Sequence, residues 1–181
     1  MLIRTHPFMT VLYSSRQARL ADLPLVSGTV ARELYRYVAD LDLLVCGPQY
    51  WFYPCSGDAE LGKLPHPRNT AISVLPDEPP VAAFGGVDGR PDTRFTLEVA
   101  LPVHGKIPTA LLPYFKQIPA FRCLTSRYEG PWEGIGGHYE QMLQHIKENQ
   151  LKMSGVYAES FLHIDIDHPD NHITEIQIGL C

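Results

Sequence analysis

The sequence predicts an α+β fold in which two strand-helix-strand-strand repeats stand in a pseudo-twofold arrangement, with a groove between them. Two helical segments carry apolar residues at the same successive spacings of 4, 3, 1 and 3 positions. Each is preceded by one segment, and followed by two, in which β-branched and aromatic residues are frequent. The chain has 181 residues, enough for a single domain with its own hydrophobic core.

The first repeat covers about residues 1–105, and its first predicted strand is at 8–16. A helix is expected to begin at Ser27-Gly28-Thr29, because Pro24 interrupts the residues before it. The apolar face of this helix consists of Val30, Leu34, Tyr37, Val38 and Leu41. Strands are expected at 43–46, 49–53 and 95–103. A proline-rich insertion at about 56–92, with one possible strand at 71–75, separates the last two.

A bridge at 106–117, helical from 109 to 117, leads to the second repeat at 118–181. There a strand at 121–127 precedes a helix that ends near Gln150, and its apolar face consists of Ile135, Tyr139, Met142, Leu143 and Ile146. Strands at 153–164 and 173–180 flank a polar turn. Residues 97–101 match residues 174–178, so Glu98 and Glu175 are equivalent and the first repeat is longer by 31 residues. The alternative is a chance similarity of two units.

Composition and charge exclude several classes of function. The chain has 15 Lys and Arg residues against 20 Asp and Glu residues, a formal net charge of −5, whereas nucleic-acid binding requires clustered positive charge. We therefore expect no direct binding of nucleic acid, and residues 1–30 show no helix-turn-helix pattern. No apolar run approaches the length of a membrane span, and the N-terminus lacks the apolar core of a signal peptide. These features predict a cytoplasmic protein without a membrane partner.

Cysteines and histidines form no recognisable redox or metal motif. None of the four cysteines lies two residues from another, so we expect reduced thiols, with a disulfide as the alternative. The segment from His163 to His172 is dense in possible metal ligands, but Asp, Asn and Pro are also the residues of a solvated turn. We therefore predict no metal and no cofactor.

Two glutamates and several aromatic residues are the candidate site residues. Strand alternation places Glu98 and Glu175 opposite the apolar face of their strands, where ordinary solvent exposure is the alternative explanation. Trp51 and Tyr53 share one face of their strand. Tyr157, Glu159 and Phe161 share a face of another. Aromatic rings beside a carboxylate suit a delocalised organic cation, although such rings also form ordinary core.

Four stretches of the second repeat resemble a known family: Ile118-Pro119-Ala120, residues 127–132 with a Gly-Pro-Trp turn, residues 155–161, and the Thr-Glu-Ile strand at 174–178. They resemble the GyrI-like small-molecule-binding domain, which is also the effector-binding domain of multidrug-responsive regulators such as BmrR and Rob. The resemblance covers the whole chain. It implies two strand-helix-strand-strand modules and an aromatic groove with an acidic floor that binds lipophilic or cationic compounds.

The resemblance also implies roles for individual residues. The glutamate positions of the family correspond to Glu159 and Glu175, and its aromatic residue after Gly-Pro corresponds to Trp132. Two departures bear on the ligand: Gly179 replaces a proline common in the last strand, and the insertion could cover the groove as a lid. We expect Glu175 to supply the counter-charge, helped by Glu159, with aromatic walls formed by Trp51, Tyr53, Trp132, Tyr157 and Phe161.

These observations predict a stand-alone binding module for hydrophobic cations that acts in sequestration or sensing, with a homodimer or a separate protein partner as open alternatives. The resemblance implies a first alternative function, that of a hydrolase that opens strained electrophilic rings such as cyclopropanes, with Glu159 or Glu175 as general base. The resemblance implies a second alternative, inhibition of a protein partner, for which the insertion is the candidate surface.

Overall fold

The computed structural model describes residues 1–19, 22–52, 94–165 and 167–181. In these residues the helices and strands are, in chain order, β1 (Leu2–His6), β2 (Met9–Arg19), α1 (Leu23–Asp40), β3 (Leu44–Val45), β4 (Gln49–Phe52), β5 (Arg94–His104), β6 (Phe115–Ile118), β7 (Phe121–Glu129), α2 (Ile135–Glu148), β8 (Met153–His163) and β9 (Ile173–Leu180). Short 3-10 turns precede β6, α2 and β9. The α+β class predicted from the sequence is confirmed.

The described strands form one antiparallel sheet in the order β1-β7-β9-β8-β4-β5-β2-β6, and β3 pairs with β5 beside this path. In each half of the chain, the strand before the helix pairs with the second long strand after it: β2 pairs with β5, and β7 pairs with β9. Apart from the two-residue β3, the first strands after the two helices are β4 and β8, which pair with each other at the centre of the sheet. This is the order that two joined repeats would produce, while the duplication itself stays a prediction.

The two edge strands each pair with the opposite half of the chain. Residues 2–6 pair with residues 121–125, and residues 9–12 pair with residues 115–118. Both stretches follow one continuous antiparallel register. The pairing is interrupted only at residues 7–8 and 119–120, where Pro7 and Pro119 lack the backbone N–H that a ladder hydrogen bond needs. Strands β1 and β6 are the two edges of the sheet, but along the chain β1 leads directly into β2 beside the opposite edge, and β6 leads directly into β7. The sheet is therefore curled, because its two edges must lie close together.

Each helix covers part of one face of the sheet. The buried residues Val30, Leu34 and Val38 of α1 pack on β5 and on Trp51 of β4. The buried residues of α2, which are Tyr139, Met142 and Ile146, pack on β7, β8 and β9. A third cluster lies on the opposite face, around Tyr50 and Phe52. Burying one large apolar side chain contributes about 1.5–3 kcal/mol, so both faces contribute to stability.

Both helices end in the same local structure. Asp42 and Gln150 follow the two helices with a positive φ of 52° in each case. The next residues, Leu43 and Leu151, donate their backbone N–H to the carbonyl five residues earlier, at 3.0 Å in both helices. This is the hydrogen bond of a Schellman motif, with an apolar residue in the position that packs back onto the helix. The chain therefore leaves both helices in the same way before it enters β4 or β8.

The observed elements correct four predictions. Strand β1 was not predicted, because its side chains are mostly exposed and show no buried alternation. The predicted helix at 109–117 is a 3-10 turn at Thr109–Tyr114 followed by strand β6. Helix α1 begins at Leu23, four residues before the predicted start, because Pro24 lies in the first turn where no N–H is needed. Tyr37, predicted on the buried face, is 47% exposed.

The predicted insertion at 56–92, its possible strand at 71–75, and the residues Tyr53 and Cys55 lie outside the described residues. The division into a single domain of two repeats joined by a bridge stays a prediction.

Candidate functional site

The β4·β8 pair is the place where the two halves of the chain meet. Trp51 lies directly opposite Glu159, and Gln49 lies opposite Phe161. Residues paired in antiparallel strands point to the same face, with Cβ atoms about 4.5–5.5 Å apart. Trp51 and Phe161 belong to the core under α1. Glu159 therefore faces the side of the sheet that carries the helices.

Four rings form a cluster on this face: Trp51, Trp132, Phe161 and His172. The Phe161 ring centroid lies 4.3 Å from that of Trp51 and 5.6 Å from that of Trp132. The two indoles are 5.7 Å apart, and the Trp132 ring stacks on the His172 ring at 4.6 Å. Trp51 is only 2% exposed, whereas Trp132 packs on the core while partly exposed. Trp132 therefore covers the deeper rings.

A short turn places Trp132 over the cluster. The Tyr128 hydroxyl donates a 2.7 Å hydrogen bond to the Pro131 carbonyl oxygen. The Gly130 N–H donates to the His172 carbonyl oxygen at 3.0 Å, which ties the turn to the start of β9. Gly130 has a φ of +134°, a conformation that glycine adopts without the strain caused by a side chain. The conformation of Gly130 and these two hydrogen bonds thus hold Trp132 over the cluster.

The Glu159 carboxylate is almost completely buried, with 4% of the residue exposed. The hydroxyl of Tyr139, a fully buried residue of α2, donates a 2.9 Å hydrogen bond to Glu159 Oε1. Burying a carboxylate is costly unless it is hydrogen-bonded or paired with a charge. We call Trp51, Trp132, Tyr139, Glu159, Phe161 and His172 the central site.

Glu98 and Glu175 lie on the other face of the sheet, and each has a cationic partner. Glu175 lies opposite Ser160, one step along the β8·β9 ladder from the pair of Glu159 and Ile176. The Glu175 carboxylate forms an ion pair with Arg4 of β1. The Glu98 carboxylate forms an ion pair with Lys116 of β6.

Aromatic rings on this second face already have a cation beside them. The Lys116 ammonium lies 4.7 Å from the Tyr13 ring centroid and 5.4 Å from that of Phe52. The arrangement of rings, carboxylate and cation that the sequence predicts for a bound ligand is thus formed here by the protein's own lysine.

A buried histidine lies beside the Arg4–Glu175 pair. His6 Nδ1 is 2.8 Å from the Pro7 carbonyl oxygen, which can only accept, so Nδ1 carries the proton. His6 Nε2 then accepts from the Tyr50 hydroxyl at 3.1 Å. Burial lowers the pKa of His6 below its usual 6.5, and the Pro7 contact opposes this shift. Burial, followed by the charge of Glu175, raises the pKa of Tyr50.

The structure divides the sequence-predicted site residues into two groups. It brings together Trp51, Trp132, Glu159 and Phe161 on the helix side. It places Glu98 and Glu175 on the opposite face, so they do not line the same site as Glu159. Tyr157 faces the helix side but packs under α2, with its hydroxyl 3.5 Å from Met153 Sδ. Tyr53 lies outside the described residues.

Sequence analysis did not identify four of the residues that define these two environments. Tyr139 was predicted only as part of a helix face, and His172 only as part of a turn. The partners Arg4 and Lys116 lie on β1, which was not predicted, and on β6, part of which was predicted as helix. The sequence has one feature common to both cations: Arg4 lies three residues before Pro7, and Lys116 lies three residues before Pro119.

Metal-binding and membrane-spanning features are not found in the part of the chain that the structure describes. In residues 1–19, 22–52, 94–165 and 167–181, no group of three or more His, Cys, Asp or Glu side chains is arranged to hold a metal ion. Cys46, Cys123 and Cys181 are free thiols. Neither described helix is long and apolar enough to cross a membrane.

Comparison with solved structures agrees with this architecture. The EcmrR C-terminal domain matches with a TM-score of 0.66 and 14% identity, over 99% of this chain and 96% of that one. The fold is that of the GyrI-like domains. SAV2435 bound to tetraphenylphosphonium matches with a TM-score of 0.50 and 11% identity, over 99% and 93% of the two chains. A hydrolase from Listeria innocua matches with a TM-score of 0.59 and 11% identity, over 99% of this chain and 91% of that one.

This chain spans about half the length of a longer chain that it matches. It spans 56% of the EcmrR chain in a complex with DNA, with a TM-score of 0.64 and 15% identity over 99% of its own length. No protein-family model matches the sequence, and no curated protein sequence matches it either.

Proposed function

We propose that this chain binds hydrophobic cations at the central site and serves in their sequestration or sensing. The observation that carries the proposal is the Glu159 carboxylate, buried directly opposite Trp51 on the face that also presents Phe161. A delocalised organic cation gains from stacking on aromatic faces, and a desolvated carboxylate supplies the opposite charge. Trp132, the partly exposed ring of the cluster, is the first ring that such a ligand meets.

We assign the counter-charge to Glu159, although the sequence favoured Glu175. Arg4 already occupies the position beside Glu175 that a cationic ligand would need. A ligand there would have to displace a guanidinium that is tethered to the same sheet. On the helix side, Glu159 lies directly opposite Trp51 and accepts a hydrogen bond from the Tyr139 hydroxyl. The SAV2435 complex, which has the same fold and holds tetraphenylphosphonium, supports cation binding by this architecture.

The test is a titration with tetraphenylphosphonium followed by tryptophan fluorescence. The chain has two tryptophans, and both belong to the central site, so the signal reports on that site. We expect saturable quenching in the parent protein. Glu159→Gln keeps the size of the side chain and one acceptor oxygen for the Tyr139 hydroxyl but removes the charge. We expect it to weaken binding by about tenfold or more.

Glu175→Gln is the matched control, because it is the same substitution on the neighbouring strand of the same sheet. We expect this variant to bind tetraphenylphosphonium as the parent does. Weaker binding in Glu175→Gln together with unchanged binding in Glu159→Gln would move the site to the opposite face. The absence of saturable quenching in the parent would reject cation binding.

A second candidate function is hydrolysis of strained electrophilic rings, and the Tyr139–Glu159 hydrogen bond favours it. A carboxylate that is buried and held by a tyrosine has the composition of a general-base site. In such a reaction Glu159 would take a proton from a water whose oxygen bonds to a ring carbon. The strained carbon–carbon bond would break, and its electron pair would pass to the electron-withdrawing group that activates the ring, which would then take up the proton. Incubation with a cyclopropane-bearing electrophile and product analysis tests this function. A ring-opened product formed by the parent and lost in Glu159→Gln would support it, and an unchanged electrophile would reject it.

A further inference from the structure

We infer that the ligand of the central site carries hydrogen-bond acceptors beside its apolar and cationic parts. The inference rests on the proposed function and specifies the chemical class of the ligand. Its basis is two buried indole N–H groups. Among the described residues, Trp51 Nε1 and Trp132 Nε1 have no hydrogen-bond partner, and both atoms are inaccessible to solvent. Native proteins leave few buried donors unpaired, so each one calls for an explanation.

The residues with unpaired donors share one neighbour. Trp51 and Trp132 both contact Phe161, with ring centroids at 4.3 Å and 5.6 Å. Thr174 lies directly opposite Phe161 in the β8·β9 ladder, and its hydroxyl also lacks a partner among the described residues. Three residues with an unpaired polar atom therefore lie next to Phe161, which is two residues along β8 from Glu159.

Other polar groups differ from the two indoles. The Tyr139 hydroxyl donates to Glu159 at 2.9 Å, and the Tyr128 hydroxyl donates to the Pro131 carbonyl oxygen at 2.7 Å. The other unpaired buried side chains of the described residues are hydroxyls and one amide oxygen. Among them, Ser160 adjoins Phe161 in β8 but lies opposite Glu175, on the other face of the sheet. A hydroxyl can rotate towards a new partner, but an indole N–H has one fixed direction and can only donate.

An acceptor-bearing ligand would use this arrangement. A carbonyl, ether or heteroaromatic nitrogen on the edge of an aromatic compound would accept from the indoles, while its cationic centre faced Glu159. A cation without acceptors, such as tetraphenylphosphonium, would gain stacking and charge but leave the indole donors unpaired. The inferred class is thus an aromatic cation with oxygen or nitrogen acceptors.

The experiment compares two probes of equal size on two forms of the full chain. The probes are (4-acetylphenyl)triphenylphosphonium, which has a carbonyl acceptor, and (4-isopropylphenyl)triphenylphosphonium, which has none. The second protein form has both tryptophans replaced biosynthetically by benzothienylalanine, which keeps the bicyclic ring and lacks the N–H. Only the two indoles of interest change, because the chain has two tryptophans. Binding is measured by calorimetry.

We expect the parent to prefer the acetyl probe by about tenfold, and the benzothienylalanine form to lose this preference while binding the isopropyl probe unchanged. Equal affinity of the parent for both probes would overturn the inference and leave cation binding intact. If the parent bound neither probe, the proposed function and the inference that rests on it would both be rejected.

A second measurement keeps the test independent of how the substituted protein folds. The parent gives two indole N–H signals in a ¹H–¹⁵N NMR spectrum, one from each tryptophan. We expect at least one of these signals to move downfield with the acetyl probe and neither to do so with the isopropyl probe. Equal shifts with both probes would contradict a hydrogen bond to the carbonyl.

Discussion

Glu159 and Glu175 lie one step apart on neighbouring strands and point to opposite faces of the sheet. Ser160 lies opposite Glu175, whereas Glu159 lies opposite Ile176. The two carboxylates therefore meet different surroundings. Glu159 is buried under the helices with a tyrosine hydroxyl, and Glu175 is paired with an arginine on the other side. The neighbouring strands β8 and β9 thus carry two carboxylates in different surroundings. Glu159 lies on the face that carries the aromatic cluster, and Glu175 forms an ion pair with Arg4 on the other face.

The two ion pairs of the second face are arranged symmetrically. Arg4 on β1 reaches across β7 to Glu175 on β9, and Lys116 on β6 reaches across β2 to Glu98 on β5. Each edge strand pairs with the opposite half of the chain and brings one cation with it. The pairs therefore link the two halves at both edges of the sheet.

The first prediction concerns the Glu98–Lys116 pair. Both side chains are largely enclosed, with 13% and 16% exposed. Glu98→Gln would leave the Lys116 ammonium enclosed without an opposite charge, which we expect to destabilise the fold by about 1–3 kcal/mol. Adding Lys116→Met should restore most of the lost stability, because a thioether chain fills the same space beside Tyr13 and Phe52. Urea unfolding of the two variants and the parent measures both effects.

The Arg4–Glu175 pair is the comparison for this prediction. Arg4 is 45% exposed, so solvent screens the pair more strongly. We expect Glu175→Gln, which leaves only the half-exposed Arg4 without its partner, to cost less than about 1 kcal/mol. A larger loss for Glu175→Gln than for Glu98→Gln would show that exposure does not govern the strength of these pairs.

The second prediction is a loss of stability in mild acid. Burial lowers the pKa of His6, and burial followed by the N-terminal charge lowers the pKa of His138. Both side chains bind protons more readily in the unfolded chain, where the pKa is about 6.5. Their contribution to stability is therefore complete above about pH 6.5 and is lost as the pH falls from there towards the folded pKa.

Urea unfolding at several pH values between about 7.5 and 5 measures this dependence. We expect His6→Gln to reduce the slope of stability against pH, because the amide neither gains nor loses a proton in this range. His104→Gln is a suitable control, because His104 is an exposed residue at the end of β5. Equal slopes in the parent and in His6→Gln would contradict the assignment to His6.

The elements that sequence analysis predicted correctly have a periodic buried face. The faces of α1 and α2 follow the helical period, apart from Tyr37, and the alternation of β5 and β9 places Glu98 and Glu175 away from the helices. The strands that it missed or assigned as helix, β1 and β6, are short edge strands. Their conformation depends on pairing with the other half of the chain, and a local pattern does not contain that information.

The sequence predicts on which face of its own strand a residue of the central site lies, but not which of these residues lie next to one another. Trp51 and Glu159 were each assigned to the correct face of their own strand. Their contact depends on β4 pairing with β8, a strand order that no local pattern specifies. The same reason explains why Glu175 was grouped with Glu159: the faces of two separate strands can be related only when their register is known.

The third prediction contrasts two glycines. Gly179 of β9 is opposed by β8, and a Cβ atom there would lie 2.3 Å from Ser154 Oγ, 2.8 Å from Val156 Cβ and 3.2 Å from the Val156 carbonyl oxygen. The serine hydroxyl can rotate away, but Val156 cannot move without shifting the strand. We expect Gly179→Ala to destabilise the fold by about 1–3 kcal/mol, and Ser154→Ala not to rescue it.

Gly28, an exposed residue within α1, is the matched control, because a Cβ atom added there would meet no other atom within 4 Å. Gly28→Ala should stabilise the fold by about 0.5–1 kcal/mol, since alanine loses less conformational freedom in a helix. Thermal unfolding of the two variants should therefore give shifts of opposite sign. A Gly179→Ala variant at least as stable as the parent would contradict the close approach of β9 to β8 at Gly179, the position at which the sequence departs from the proline of the family it resembles.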